Sequence, residues 1–220
     1  MNGRLMRKLL AVLLLLLLIA AAGLAYCNRP TGVAPVRPQV AAPVAPQAAL
    51  PMTCGAQCGE ERWLVKTLAD PDRGLVDLHA RRSSVAELAA LPRPEELPEA
   101  GRVEGAERST FVVEAYLAGW SPENDGDIHL ILADPDQQTV TLIAEIPDPE
   151  CSGACSSGFA QAYAEARSVL EVGLARPNPE DRPLRVEVTG VGFFDYLHGQ
   201  TGVAPNGIEL HPVLKLRLLE

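Results

Sequence analysis

The chain has 220 residues, with 28 acids against 19 Lys and Arg. The excess is uneven: residues 1–51 carry five bases and no acid, residues 52–108 eight bases and eleven acids, and residues 109–220 six bases against seventeen acids, a net of -11. A surface of that sign repels phosphate backbones, whose binding is largely counterion release, so nucleic acid is excluded as a partner.

Arg4, Arg7 and Lys8 precede an uncharged apolar run from Leu9 to Cys27. Such a run partitions into a bilayer, and basic charge on its N-terminal side keeps that end cytoplasmic, so the rest is translocated. Residues 1–27 are therefore a signal peptide or membrane anchor, and the bulk of the chain is expected outside the cytoplasm, in the periplasm or cell envelope. The run's length lies between a signal-peptide core and a full span of about 20 residues. Three fates stay open: cleavage after Ala25, with Gly23 and Ala25 as the small residues read; retention, which makes the membrane a partner; and lipidation of Cys27, favoured by Leu24 and Ala25 and opposed by Tyr26.

Residues 28–51 are Pro- and Ala-rich without apolar periodicity, which predicts an extended, semi-rigid tether. About 170 residues remain, enough for one compact domain. Residues 52–108 read as an N-terminal extension packed on that domain. RWLVKTL looks strand-like; in SSVAELAAL, Ser84 and Glu87 have capping-box spacing ahead of a short helix, which LPRPEELP ends.

From Ser109 to the end the pattern is β. Phe111, Val113, Ala115 and Leu117 alternate against Val112, Glu114 and Tyr116; Ile128, Leu130 and Leu132 against Asp127 and His129; Val140, Leu142, Ala144 and Ile146 against Thr139, Thr141 and Glu145. Period two means strands with one buried face. Phe159, Ala162, Tyr163, Ala166, Val169 and Leu170 then fall at helical spacing behind the N-cap candidates Ser156 and Ser157. LRVEVTGVGFF and IELHPVLKLRL follow as strands, the latter with Ile208, Leu210, Leu214, Leu216 and Leu218 inward. The order β-β-β-α-β-β, mostly β with one main helix, is that of the OB-fold, a five-stranded Greek-key barrel, here over residues 109–220. A generic α+β sandwich is the alternative. In the barrel, Val113, Leu130, Leu142, Val186 and Leu214 share one core.

Outside the apolar segment the cysteines come as CGAQC (Cys54, Cys58) and CSGAC (Cys151, Cys155). An oxidising compartment favours two disulfides, with three possible connectivities; a four-thiolate zinc site is the rival. Asp127 precedes His129 by two residues, and Glu209 precedes His211 likewise. Each pair shares a strand face, expected to be the solvent face, where carboxylate and imidazole either bind metal and shuttle protons or form hydrogen bonds at a wet edge. Polar loop residues concentrate in GWSPENDGD, with Trp120, Asn124, Asp125 and Asp127, and in DYLHGQTGVAPNG, with Asp195, Tyr196, His198, Gln200, Thr201 and Asn206. In an OB-fold these two loops border the ligand face; the competing role is tight turns at Gly199, Gly202 and Gly207 with side chains bonded to backbone. The chain has no nucleophile elbow, phosphate-binding glycine loop or HExxH. A nuclease-like phosphate clamp lacks arginines in the acidic loops: those after Arg108 are Arg167, Arg176, Arg182, Arg185 and Arg217.

The strings GEERWLVKTLADPD, DGDIHLILADPD, LIAEIPDPEC and GVGFFDYLHGQTGVAPNGIELHPVL resemble an uncharacterised family of exported bacterial proteins, from about Cys58 to Leu214. The resemblance implies no established activity. It does imply a cysteine just before ERW and another just after EIP, favouring a Cys58 to Cys151 bridge with Cys54 to Cys155 beside it.

The expected function is an OB-like binding or scaffolding domain with no cofactor. Its ligand is uncharged or cationic, a glycan or protein, held by Trp120, Asn124, Asp127 and His129 on one side and Tyr196, His198, Gln200, Asn206, Glu209 and His211 on the other. A metal-dependent hydrolase using Asp127, His129, His198, Glu209 and His211 is the alternative, and a purely structural spacer the third.

Overall fold

The computed structural model describes residues 54–175 and 183–219, so the expectations for residues 1–53 lie outside it. In chain order the elements are α1 (Trp63–Lys66), β1 (Asp77–Ser83), α2 (Val85–Ala89), β2 (Ser109–Pro122), β3 (Ile128–Ala133), β4 (Thr141–Ile146), α3 (Ala160–Ala175), β5 (Leu184–Phe194) and β6 (Ile208–Leu218). The sheet runs β1-β2-β3-β4-β6-β5, and β5 returns to β2, closing a five-stranded barrel. Antiparallel β2–β3–β4, a crossover helix, and parallel pairing of β4 with β6 give the OB-fold connectivity. β2 reaches fourteen residues because it serves three neighbours: β5 along residues 110–117, and on the opposite edge β1 near its start and β3 near its end.

The barrel interior is aliphatic, with Val113, Leu130, Leu142 and Val186 each at most 1% exposed. Leu214 departs from the expected parity and is only half-buried. A bulge pairs Gly190 with Val213 and Thr189 with Lys215, skipping Leu214, so Val213 turns inward in its place. Helix α3 presents Tyr163, Ala166 and Leu170 to the core. The Ser157 hydroxyl accepts from the Phe159 amide ahead of it, while the Ser156 hydroxyl donates to the Gly153 carbonyl.

The N-terminal extension differs in two places. RWLVKTL forms the helical turn α1 rather than a strand: Trp63 and Val65 are both buried, which mimics alternation, but the Thr67 hydroxyl and amide close the turn on the Trp63 carbonyl. β1 had no apolar alternation to reveal it, because six of its seven residues are exposed and it pairs only along the edge of β2. The capping box at Ser84 and Glu87 forms as its spacing predicts.

Two disulfides fasten the extension: Cys54–Cys155 and Cys58–Cys151, with Cα–Cα distances of 5.5 and 5.8 Å. The four-thiolate zinc reading is thereby overturned, since no free thiolate remains among these four. Formed bridges mark an oxidising, extracytoplasmic environment. Among the described residues no helix is long and apolar enough to cross a membrane.

Two outcomes follow. Leu130→Ala should cost about 2–5 kcal/mol in urea denaturation, as emptying a closed aliphatic site does; a cost near zero would contradict the strand register. Non-reducing peptide mapping should recover the 54–155 and 58–151 linkages, and links within each CxxxC would contradict the fold of the extension.

Candidate functional site

Alternation on paired strands assembles the site. With Leu130 and Leu132 inside the barrel, His129 faces outward, and β3–β4 pairing sets it opposite Glu145. Parallel β4–β6 pairing matches Ile143 with Glu209, so two residues on, Glu145 meets His211. On the other side of β6, Glu209 pairs with Phe193 of β5. One outward row thus carries His129, Glu145 and His211, with Asp127 at the mouth of β3 reaching His211 at 3.2 Å.

This outward face is not the solvent face that alternation predicts. Asp127, Glu209 and His211 are 0, 1 and 0% exposed, and His129 is also buried. The cause is the extension, which covers the barrel's flank. Arg62 sits 4.7 Å over the Phe193 ring and Lys66 lies 5.4 Å from it, while Phe193 meets His211 edge-on at 5.7 Å. Leu68 and Val76 pack on Val191, and the Tyr163 hydroxyl donates to the Thr67 carbonyl. Backbone bonds from Gly55 to Glu150 and from Ser152 to Ala56 stitch this cover to the 148–155 loop, which the disulfides also hold.

Two buried arginine–carboxylate forks fix the cover. Arg62 donates to both oxygens of Glu107 at 2.9 and 2.5 Å, and Glu107 also accepts from the amides of Phe194 and Val103. Arg102 donates to both oxygens of Asp70, at 3.1 and 2.6 Å. Planar guanidinium against carboxylate is the geometry in which such pairs are strongest.

The buried groups perturb one another. Burial opposes charge on His211, but Glu145, Asp127 and Glu209 around it more than offset that and hold its pKa well above the usual range. Burial pushes Glu209 upward, and likewise Asp127. Glu145 resists burial because His211 and His129 flank it, leaving its carboxyl well below the ordinary value. His129 contacts Glu145 at 3.1 Å through Nδ1 and the Thr201 carbonyl at 3.1 Å through Nε2. Two acceptors call for two N–H groups, so the ring carries charge, and its pKa is raised chiefly by Glu145. Burial lowers the Lys66 pKa, and Asp195, Glu145 and Glu209 together reverse that.

Above the row lies a groove of about 870 Å³ between the 121–125 and 195–201 segments. Glu60, Glu61, Glu123, Asp125, Glu145 and Asp195 line it against the single basic side chain of Lys66, with His129 and His198 also in the wall. Asn124, Tyr196, Gln200 and Thr201 also line it, so the two loops do meet. Exposed His198 contacts Gln200 through Nε2 rather than a carboxylate. Trp120 is 48% exposed and lies outside the groove's walls. Asn206 is buried: its amide donates to the Leu88 and Leu91 carbonyls and its oxygen accepts from Ile208, which spends all its groups on structure. Glu145, Lys66, Arg62 and Glu107 were not singled out from sequence; only strand register and tertiary closure set them in place.

No protein-family model and no curated protein matches the chain. Among solved structures it is similar to the OBody AM3L09 bound to hen egg-white lysozyme, at 12% identity over 51% of this chain and 82% of that one, with a TM-score of 0.31.

The loop residues should separate by role. His198→Ala should move stability by no more than about 0.5 kcal/mol, whereas Asn206→Ala, which takes a donor from the Leu91 carbonyl and an acceptor from the Ile208 amide, should cost about 1–3 kcal/mol. Equal effects of the two in thermal unfolding would contradict this assignment.

Proposed function

We propose that this chain is an extracytoplasmic binding domain of the cell envelope, delivered or anchored by residues 1–27 and spaced by residues 28–51, whose groove holds an uncharged or cationic ligand of glycan or protein nature. The observation that carries this is the meeting of two loops, some seventy residues apart in sequence, in one acid-lined groove. Six carboxylates against Lys66 and the charged His129 favour positive charge on the ligand. Tyr196, 39% exposed, offers a ring for stacking, and Asn124 and Gln200 offer hydrogen bonds. The formed disulfides support the compartment.

A hydrolase built on Asp127, His129, His198, Glu209 and His211 fits less well. Asp127, Glu209 and His211 are closed off from any substrate, and His198 stands apart on the exposed loop.

The test is an amide NMR titration of the oxidised protein with two probes, a lysine-rich peptide and a chitin tetrasaccharide. At least one should shift the resonances of Asn124, Tyr196 and Gln200, and Tyr196→Ala with Gln200→Ala should weaken it about tenfold or more, the cost of losing a buried aromatic contact. Silence at these positions with both probes at millimolar concentration would refute the groove as a binding site.

A further inference from the structure

We propose that Asp127, Glu145 and His211 bind one divalent transition-metal ion of the zinc class in the floor of the groove, where Glu145 belongs to both. Each comes from a different part of the barrel: the mouth of β3, β4 and β6. One ligand atom from each lies within 4.8 Å of the others.

Proximity alone would not suffice, since three carboxylates around an imidazole also make a buried ion cluster. The polar atoms' partners decide between them. Asp127 Oδ2, Glu209 Oε2 and both ring nitrogens of His211 are buried without a hydrogen-bond partner. Buried polar atoms are nearly always satisfied, and these four that are not surround one imidazole, Asp127 Oδ2 on its Nε2 side and Glu209 Oε2 on its Nδ1 side. His211 approaches Asp127 at 3.2 Å through Nε2 and Glu145 at 3.0 Å through Nδ1, yet neither nitrogen makes an aligned hydrogen bond. An ion binds one of these nitrogens in place of its proton and leaves the other facing a carboxylate. Two donors on one tetrahedral zinc, each about 2.0–2.1 Å from it, stand roughly 3.3 Å apart, close to the Asp127–His211 separation.

Charge points the same way. Asp127 and Glu209 are shut off from water and Glu145 reaches it only at the groove wall, while Lys66 is bonded to Asp195 and His129 to the Thr201 carbonyl as well as Glu145. Burying unneutralised charge is costly, and a dication offsets it directly. Glu209, 3.9 Å from His211, is placed to orient the imidazole rather than to ligate first.

The donor set selects the metal. Nitrogen with two carboxylate oxygens suits Zn²⁺, Co²⁺ or Mn²⁺; calcium and magnesium prefer all-oxygen shells of six or more, and soft ions prefer sulfur, which the bridges withhold.

The experiment uses untagged, disulfide-intact protein stripped with chelator, titrated calorimetrically with ZnCl₂ and, in parallel, with CoCl₂ followed by visible absorption. Wild type should take up one equivalent of Zn²⁺ and give cobalt d–d bands. Asp127→Asn and Glu145→Gln, each verified as folded by circular dichroism, should lose about 100-fold or more in affinity, at least what orienting residues alone contribute. Tyr196→Ala, altered only in the groove, should keep the full stoichiometry, so failure of the groove ligand leaves this result standing. A folded, stripped wild type that takes up no Zn²⁺, or carboxylate variants that bind it as tightly as wild type, would overturn the proposal.

Discussion

Charge without water is the constraint on which this structure turns. The outer flank of β3, β4 and β6 carries Asp127, His129, Glu145, Glu209 and His211, and all five are withdrawn from solvent to a large degree. Alternating strands normally leave such residues wet. Here a second layer lies over them, so every carboxylate in the row must be answered by an imidazole, an ammonium or a cation. Lys66 and the two histidines answer part of that demand.

The covering layer is small and has little core of its own: Leu68 and Val76 against Val191, and Trp63 and Val65 nearby. Such a layer would not stay down on hydrophobic burial alone. Its fastening is covalent and ionic. Two disulfides tie residues 54 and 58 to the 151–155 loop across sequence separations of 101 and 93; chain entropy gives about 4–5 kcal/mol for the first, while the second then closes only a short ring and adds less. The Arg62–Glu107 and Arg102–Asp70 forks pin the rest, and removing one partner of such a buried pair typically costs about 3–5 kcal/mol. Glu107 also takes the Phe194 amide, so the end of β5, the start of the 195–207 loop and the cover are fixed by one carboxylate. The groove's far wall therefore inherits its position from the fastening of the cover.

Much of the barrel was legible because its strands alternate cleanly and its helix has a distinct period; Leu130 and Leu142 fall inside as their parity requires. The sequence hid three kinds of fact. β1 is an exposed edge strand whose pattern carries no apolar signal. The bulge at Leu214 changes parity mid-strand, which no period of two reveals. And Asp127, Glu209 and His211 were legible as a shared face but not as a buried one, because burial depends on Arg62 and Lys66, some sixty to seventy residues before β3 and further still from β6. Glu145 looked like one more outward acid until strand register set it between two histidines. Loop residues divided for similar reasons: Tyr196 and Gln200 face the groove, while Asn206, equally polar in sequence, ties α2 to β6.

The sealing of the charged row by a disulfide-fastened cover is best tested through the four histidines themselves. Deuterium exchange at the imidazole C2 position, read by mass spectrometry on metal-stripped protein, reports each ring's access to water. With both bridges intact, His211 should exchange at least about tenfold more slowly than His79 and His198, both of which are exposed; after reduction of the bridges it should approach them. A His211 that exchanges as fast as His198 in the oxidised protein would contradict the sealed site, and with it the role assigned to the N-terminal cover.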